Sequence, residues 1–147
     1  MELQNDLNVK SGETVRVRCE TRGGNPAAII RWYIDELEMN GSEQKNETEV
    51  GNDRRWNSIS VIEMNFEKEH NRKLLKCIAL HDAYPRKARE ESVILNVLFA
   101  PIVRLERTEN QFDLEADKDE LKIRCIADAN PAPDVVWRKA GGESIFR

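Results

Sequence analysis

The feature that most constrains this chain is a signature that occurs twice. Cys19 is followed by Asn25-Pro26-Ala27 and then by Trp32, thirteen residues after the cysteine. Cys125 is followed by Asn130-Pro131-Ala132 and then by Trp137, twelve residues on. Each cysteine ends an alternating apolar/basic run, Val15-Arg16-Val17-Arg18 in the first copy and Leu121-Lys122-Ile123-Arg124 in the second. Alternation with a period of two is the pattern of a strand buried on one face. The cysteines lie 106 positions apart, so the repeat is about one hundred residues long and only its first copy fits whole into 147. Residues 1–100 therefore read as one complete domain and 101–147 as the opening part of a second. The joint Val97-Leu98-Phe99-Ala100-Pro101 runs one strand almost straight into the next.

Between the repeats the chain is a series of short strands with no sustained helical period. Gly23-Gly24-Asn25-Pro26 breaks the first run, and Ala28–Ile34 forms the second strand. The polar stretch from Glu36 to Arg55 reads as an edge strand plus loops. Further strands run over Ser58–Phe66, Leu74–Leu80 and Ser92–Leu98, with a short helical turn over Glu67–Asn71. Turn signals recur about every ten residues, the rhythm of an antiparallel sandwich or barrel.

Charge excludes one class of function. Lys plus Arg is 23 and Asp plus Glu 27, a near-balance unlike the strongly basic footprint of a dedicated nucleic-acid binder. No apolar run approaches a bilayer span, and Met1–Asn5 lacks the basic start and apolar stretch of a signal peptide. The chain is thus either cytosolic or a piece of a longer secreted one. Enzyme constellations are absent: there is no Gly-rich phosphate loop, no G-x-S-x-G elbow and no H-E-x-x-H, so no catalytic residue and no cofactor are expected. Three cysteines without a C-x-x-C pair, and with His70 and His81 at no ligand spacing, make no zinc site, and no metal is expected. Because Cys19, Cys77 and Cys125 all sit on alternating strands facing a core, a Cys19–Cys77 disulfide packed against Trp32 is a better reading than a reactive thiol. The unpaired Cys125 then has its partner beyond the chain end.

The Cys19…Trp32…Cys77 spacing on this strand rhythm resembles the immunoglobulin fold, an all-β, immunoglobulin-like antiparallel β-sandwich, with Trp32 and Trp137 as the core tryptophans. One departure is clear, since Leu75 stands where the tyrosine corner expects Tyr. Glu69–Cys77 instead resembles the corner of C2-type domains. The Gly23–Ala27 stretch and the Leu98–Pro101 joint look like the tandem arrays of nephrin-like adhesion receptors, with echinoid-like and nectin-like receptors as neighbouring groups. The resemblance implies an extracellular, membrane-displayed fragment that mediates cell–cell recognition through contact with another immunoglobulin-superfamily protein, homophilic or heterophilic. A passive spacer and a receptor for a secreted ligand are the alternatives, and a cytosolic muscle-type domain would keep its cysteines reduced.

Two sequons, Asn40-Gly41-Ser42 and Asn46-Glu47-Thr48, support surface display with glycans at Asn40 and Asn46. Strand parity anchored on Cys19, Trp32 and Cys77 sends Val15, Val17, Ile30, Ile34, Leu75 and Ala79 inward. It turns Ile29, Arg31, Tyr33, Ile78, Leu80 and Ile94 outward on one sheet. Such a concentration of large apolar groups marks a contact face, with Tyr and Arg typical of interface anchors. A bulge near Ile29 or Ile78 would instead bury some of them.

Overall fold

The computed structural model describes residues 1–3, 7–107, 114–115, 118–138, 140–141 and 144–146. The strands are β1 (Glu2–Leu3), β2 (Asn8–Lys10), β3 (Thr14–Gly24), β4 (Ile29–Ile34), β5 (Leu37–Met39), β6 (Glu43–Glu49), β7 (Asn52–Asn65), β8 (Leu74–Leu80), β9 (Ala88–Ile94), β10 (Asn96–Arg107), β11 (Ile123–Asn130), β12 (Trp137–Arg138) and β13 (Ser144–Phe146). They form two compact units, Met1–Leu98 and Phe99–Arg147.

In the first unit, two four-stranded sheets run in the orders β1-β3-β7-β6 and β5-β4-β8-β9, the layout of an immunoglobulin-like sandwich. Alternation explains the inner layer. On β3, Val17, Cys19 and Thr21 are buried while Arg16, Arg18 and Arg22 are exposed. Trp32, Ile62, Phe66, Leu75, Leu95 and Val97 complete the fully buried centre. Cys19 on one sheet and Cys77 on the other are joined by a disulfide across 6.5 Å between Cα atoms. The two cysteines lie 58 positions apart in sequence, and closing such a loop stabilises the fold by roughly 4 kcal/mol in the chain-entropy model. The Trp32 Nε1–H donates to buried Ser60 Oγ at 3.0 Å, which satisfies the indole inside the core.

Three elements depart from the sequence reading. The polar stretch 36–55 holds two strands and the start of a third, because β6 and β7 make a hairpin around Val50-Gly51, with Gly51 at φ +80°. The 92–98 run is split at Leu95, where the chain leaves β8 and pairs in parallel with β2 through Asn96–Leu98. The N-terminal Leu3, Leu7 and Val9 join the core, although no period announced them. The turn near residue 67 is a 3-10 helix over Lys68–His70, closed when the Glu67 N–H donates to His70 Nδ1.

The second unit is built on β11, which pairs antiparallel with β10 from Phe99 to Arg107, and on the β12–β13 pair. Among its described residues no side chain is buried. Ile102, Val103, Leu105, Ile123, Val135 and Val136 all face solvent. Trp137, expected as a core residue, is therefore only half-buried: the described part of this unit presents no opposing layer to cover it.

Candidate partner-binding face

The outer face of the β5-β4-β8-β9 sheet is set by its register. β4 and β8 pair without a shift from Ile29↔Leu80 to Ile34↔Leu75, so no bulge reverses the parity. Ile29, Arg31, Tyr33, Ile78 and Leu80 consequently share the side opposite Trp32 and Cys77. Ile94 lies on the same side, across from Leu74 on β8.

The face is banded. Ile29, Leu80 and Ala88 form an apolar row at one end; Arg31, Ile78 and Glu90 form the next. Tyr33 and Lys76 follow, with Glu38 on β5 beside Tyr33. Leu74 and Ile94 close the far end. Ile29 is 58% and Ile94 64% exposed, well beyond what packing within the sheet leaves open. Tyr33, Ile78 and Leu80 are half-buried by their neighbours. Arg31 is held by Glu38 at 3.3 Å, and Lys76 lies along the sheet with its ammonium 3.1 Å from Glu36. The Lys76 side chain is only 13% exposed, so its methylenes lie against the face. Lys76, Leu74 and Glu38 escaped the sequence reading because a charge or a strand-end leucine carries no sign of its neighbours until the register is known.

The loops at the Ile29 end are tied together by His81. Its Nε2–H donates to Pro26 O at 2.9 Å, which leaves Nδ1 to accept the Ala83 N–H at 3.1 Å. Between β8 and β9, Tyr84-Pro85-Arg86-Lys87 closes a turn with the Lys87 N–H donating to Tyr84 O at 2.8 Å. Arg86 sits there at φ 60°, ψ 15°, in the left-handed region that such a turn reserves for glycine.

Both sequon asparagines are exposed, Asn40 after β5 and Asn46 on the edge strand β6. On β6, Gln44 and Asn46 stand opposite buried Ser60 and Ser58, so they line the open margin of the sandwich. Gln44 closes that margin: its Oε1 accepts the Ile30 N–H at 2.9 Å and its Nε2–H donates to Ala28 O at 2.8 Å. Cys125 carries a free thiol and is half-buried. Among the described residues no group of three His, Cys, Asp or Glu side chains converges to hold a metal ion.

Comparison with known proteins agrees with this architecture. A family model described as a CD80-like C2-set immunoglobulin domain matches residues 2–88. Cell adhesion molecule 3 of Xenopus laevis is 29% identical over 135 residues, covering 91% of this chain and 33% of that protein. Cell adhesion molecule 4 of Homo sapiens is 25% identical over 138 residues, covering 93% and 34%. The chain thus spans about a third of the length of these relatives. The crystal structure of the mouse nectin-like molecule 4 ectodomain superposes with a TM-score of 0.73 at 23% identity, covering 97% of this chain and 47% of that one. The curated relatives are cell adhesion molecules and do not single out the nephrin-like group, and the solved structure shares the fold. The likeness is to proteins named as cell adhesion molecules. With its disulfide between two sheets and Trp32 buried beside it, the chain belongs to the CD80-like C2-set immunoglobulin domain family.

Proposed function

We propose that this chain is part of the extracellular portion of a cell-surface adhesion receptor and acts by protein–protein contact. The partner on this reading is another immunoglobulin-superfamily receptor, a copy of itself or a different one. The observation that carries the proposal is the banded outer face, where Ile29 and Ile94 stay exposed on a disulfide-stapled domain related to cell adhesion molecules 3 and 4. Residues 1–100 serve as the complete domain. Residues 101–147 are the opening half of a second domain, whose Cys125 pairs with a cysteine outside this sequence. Asn40 and Asn46 carry glycans, which a mobility shift on glycosidase treatment of secreted protein detects.

Beads coated with the chain test the face. Tyr33→Asp and Leu80→Asp, at half-buried outer positions, should each abolish bead aggregation or capture of receptor-bearing cells, a loss of the size expected for an interface anchor, roughly 2 kcal/mol or more. Their melting temperatures should stay near that of the parent chain. Undiminished binding by both variants would identify this sheet as a passive spacer surface.

A further inference from the structure

The other sheet carries charge in an order that only its register shows. On the outer side of β3, Arg18, Glu20 and Arg22 follow one another; on β6, Glu43, Lys45 and Glu47 do the same with every sign reversed. Between them runs β7, whose Val61 stands in line with Arg18 and Glu43 and whose Ile59 stands in line with Glu20 and Lys45. Asn57 pairs with Glu47, and Arg22 reaches the same end of the face through its 2.7 Å ion pair to Glu20. Each row therefore holds opposite charges on either side of a central strand that presents Val61 and Ile59 half-buried.

We propose that this face associates with the same face of a second copy of the chain, about a two-fold axis that runs along β7. Turning one copy about that axis exchanges its left and right columns and keeps its rows. Arg18 then meets the partner copy's negative column at Glu43, Glu20 meets Lys45, and Arg22 meets Glu47, each contact occurring twice. Val61 and Ile59 meet their own counterparts and form an apolar seam. A two-fold axis across the strands places Arg18 on Arg22 and Glu20 on itself, so the charge order selects one orientation. Glu63, the next outward residue of β7, meets its own counterpart on the axis, where Arg16 at 3.4 Å offsets each of the two charges. The charges are already ordered for this contact: Glu20 is clamped by Arg18 and Arg22, each at 2.7 Å, and Lys45 is paired with Glu47. The glycan acceptor Asn46 lies on the opposite side of β6 from Lys45 and Glu47 and leaves the face open. The proposal concerns the sheet that the adhesion reading does not use, and the two are tested by different residues.

Sedimentation of the full chain in a Cys125→Ser background, at low ionic strength and up to about 1 mM, reads the association. Arg18→Glu alone and Glu43→Arg alone should each weaken it by at least about tenfold, because each places like charges together at two contacts. An equimolar mixture of the two variants should associate again, since Arg18→Glu in one copy meets Glu43→Arg in the other, and so should the double variant. Unchanged melting temperatures keep the reading on the interface. A parent chain that stays monomeric, a dimer indifferent to Arg18→Glu, or a mixture no better than either variant overturns the proposal.

Discussion

Two serines on β7, two residues apart and both fully buried, face the same core with opposite consequences. Ser60 Oγ accepts the Trp32 indole N–H, whereas Ser58 Oγ has no hydrogen-bond partner among the described residues. Ser60→Ala should cost about 1–3 kcal/mol, the penalty of leaving a buried indole donor unmet, while Ser58→Ala should raise stability by up to about 1 kcal/mol by removing an unpaired hydroxyl. Urea unfolding of the two variants separates the cases. Arg86 supplies a third residue-scale test. Its left-handed backbone costs an L-residue about 1–2 kcal/mol, so Arg86→Gly should stabilise the chain by about that much in the same assay. Neither serine role was legible in the sequence. Alternation marks which side of a strand is inward, and a hydroxyl's partner depends on which side chain stands across the core.

Among the elements, β6 is the one whose job is least visible in its composition. It is wholly polar, so periodicity gave no hint that it pairs with β7 along its length. β5 covers β4 only from Trp32 to Ile34, which leaves the edge groups of Ala28 and Ile30 without a strand. Gln44 supplies the missing pair through its side-chain amide, bonding one carbonyl and one N–H as a neighbouring backbone would. Gln44→Ala should therefore cost about 1–3 kcal/mol in chemical denaturation and speed hydrogen exchange at the Ile30 amide before neighbouring amides. An isosteric Gln44→Glu keeps only the acceptor half of this exchange and loses the bond to Ala28 O. By contrast, β3, β4 and β8 were legible almost residue by residue, because Val17, Cys19, Ile30, Trp32, Leu75 and Cys77 all obey one period. The short β2 was not, since three residues in parallel pairing carry no turn signal and no repeat.

For the whole molecule, the two units differ in kind. The first has a stapled core, and the second, among its described residues, has apolar strands without a buried side chain. A thiol reagent applied to the native chain should label Cys125 alone, with Cys19 and Cys77 becoming reactive only after reduction in denaturant. Mass spectrometry of the labelled peptides reads the outcome. The repeat of a cysteine and a tryptophan at fixed separation is legible in the sequence because both belong to one strand-and-core pattern. It said nothing of the order of charges across β3, β7 and β6, which exists only once three distant segments are aligned. That alignment gives the odd and even positions of β6 separate addressees. Lys45 and Glu47 speak to the charged face, and Gln44 and Asn46 to the margin of the sandwich. Insertion or deletion of a single residue in this strand would therefore exchange the two messages, turning the sequon position toward the flat face and an ion pair toward the core margin. Length, more than composition, is what this edge strand has to keep.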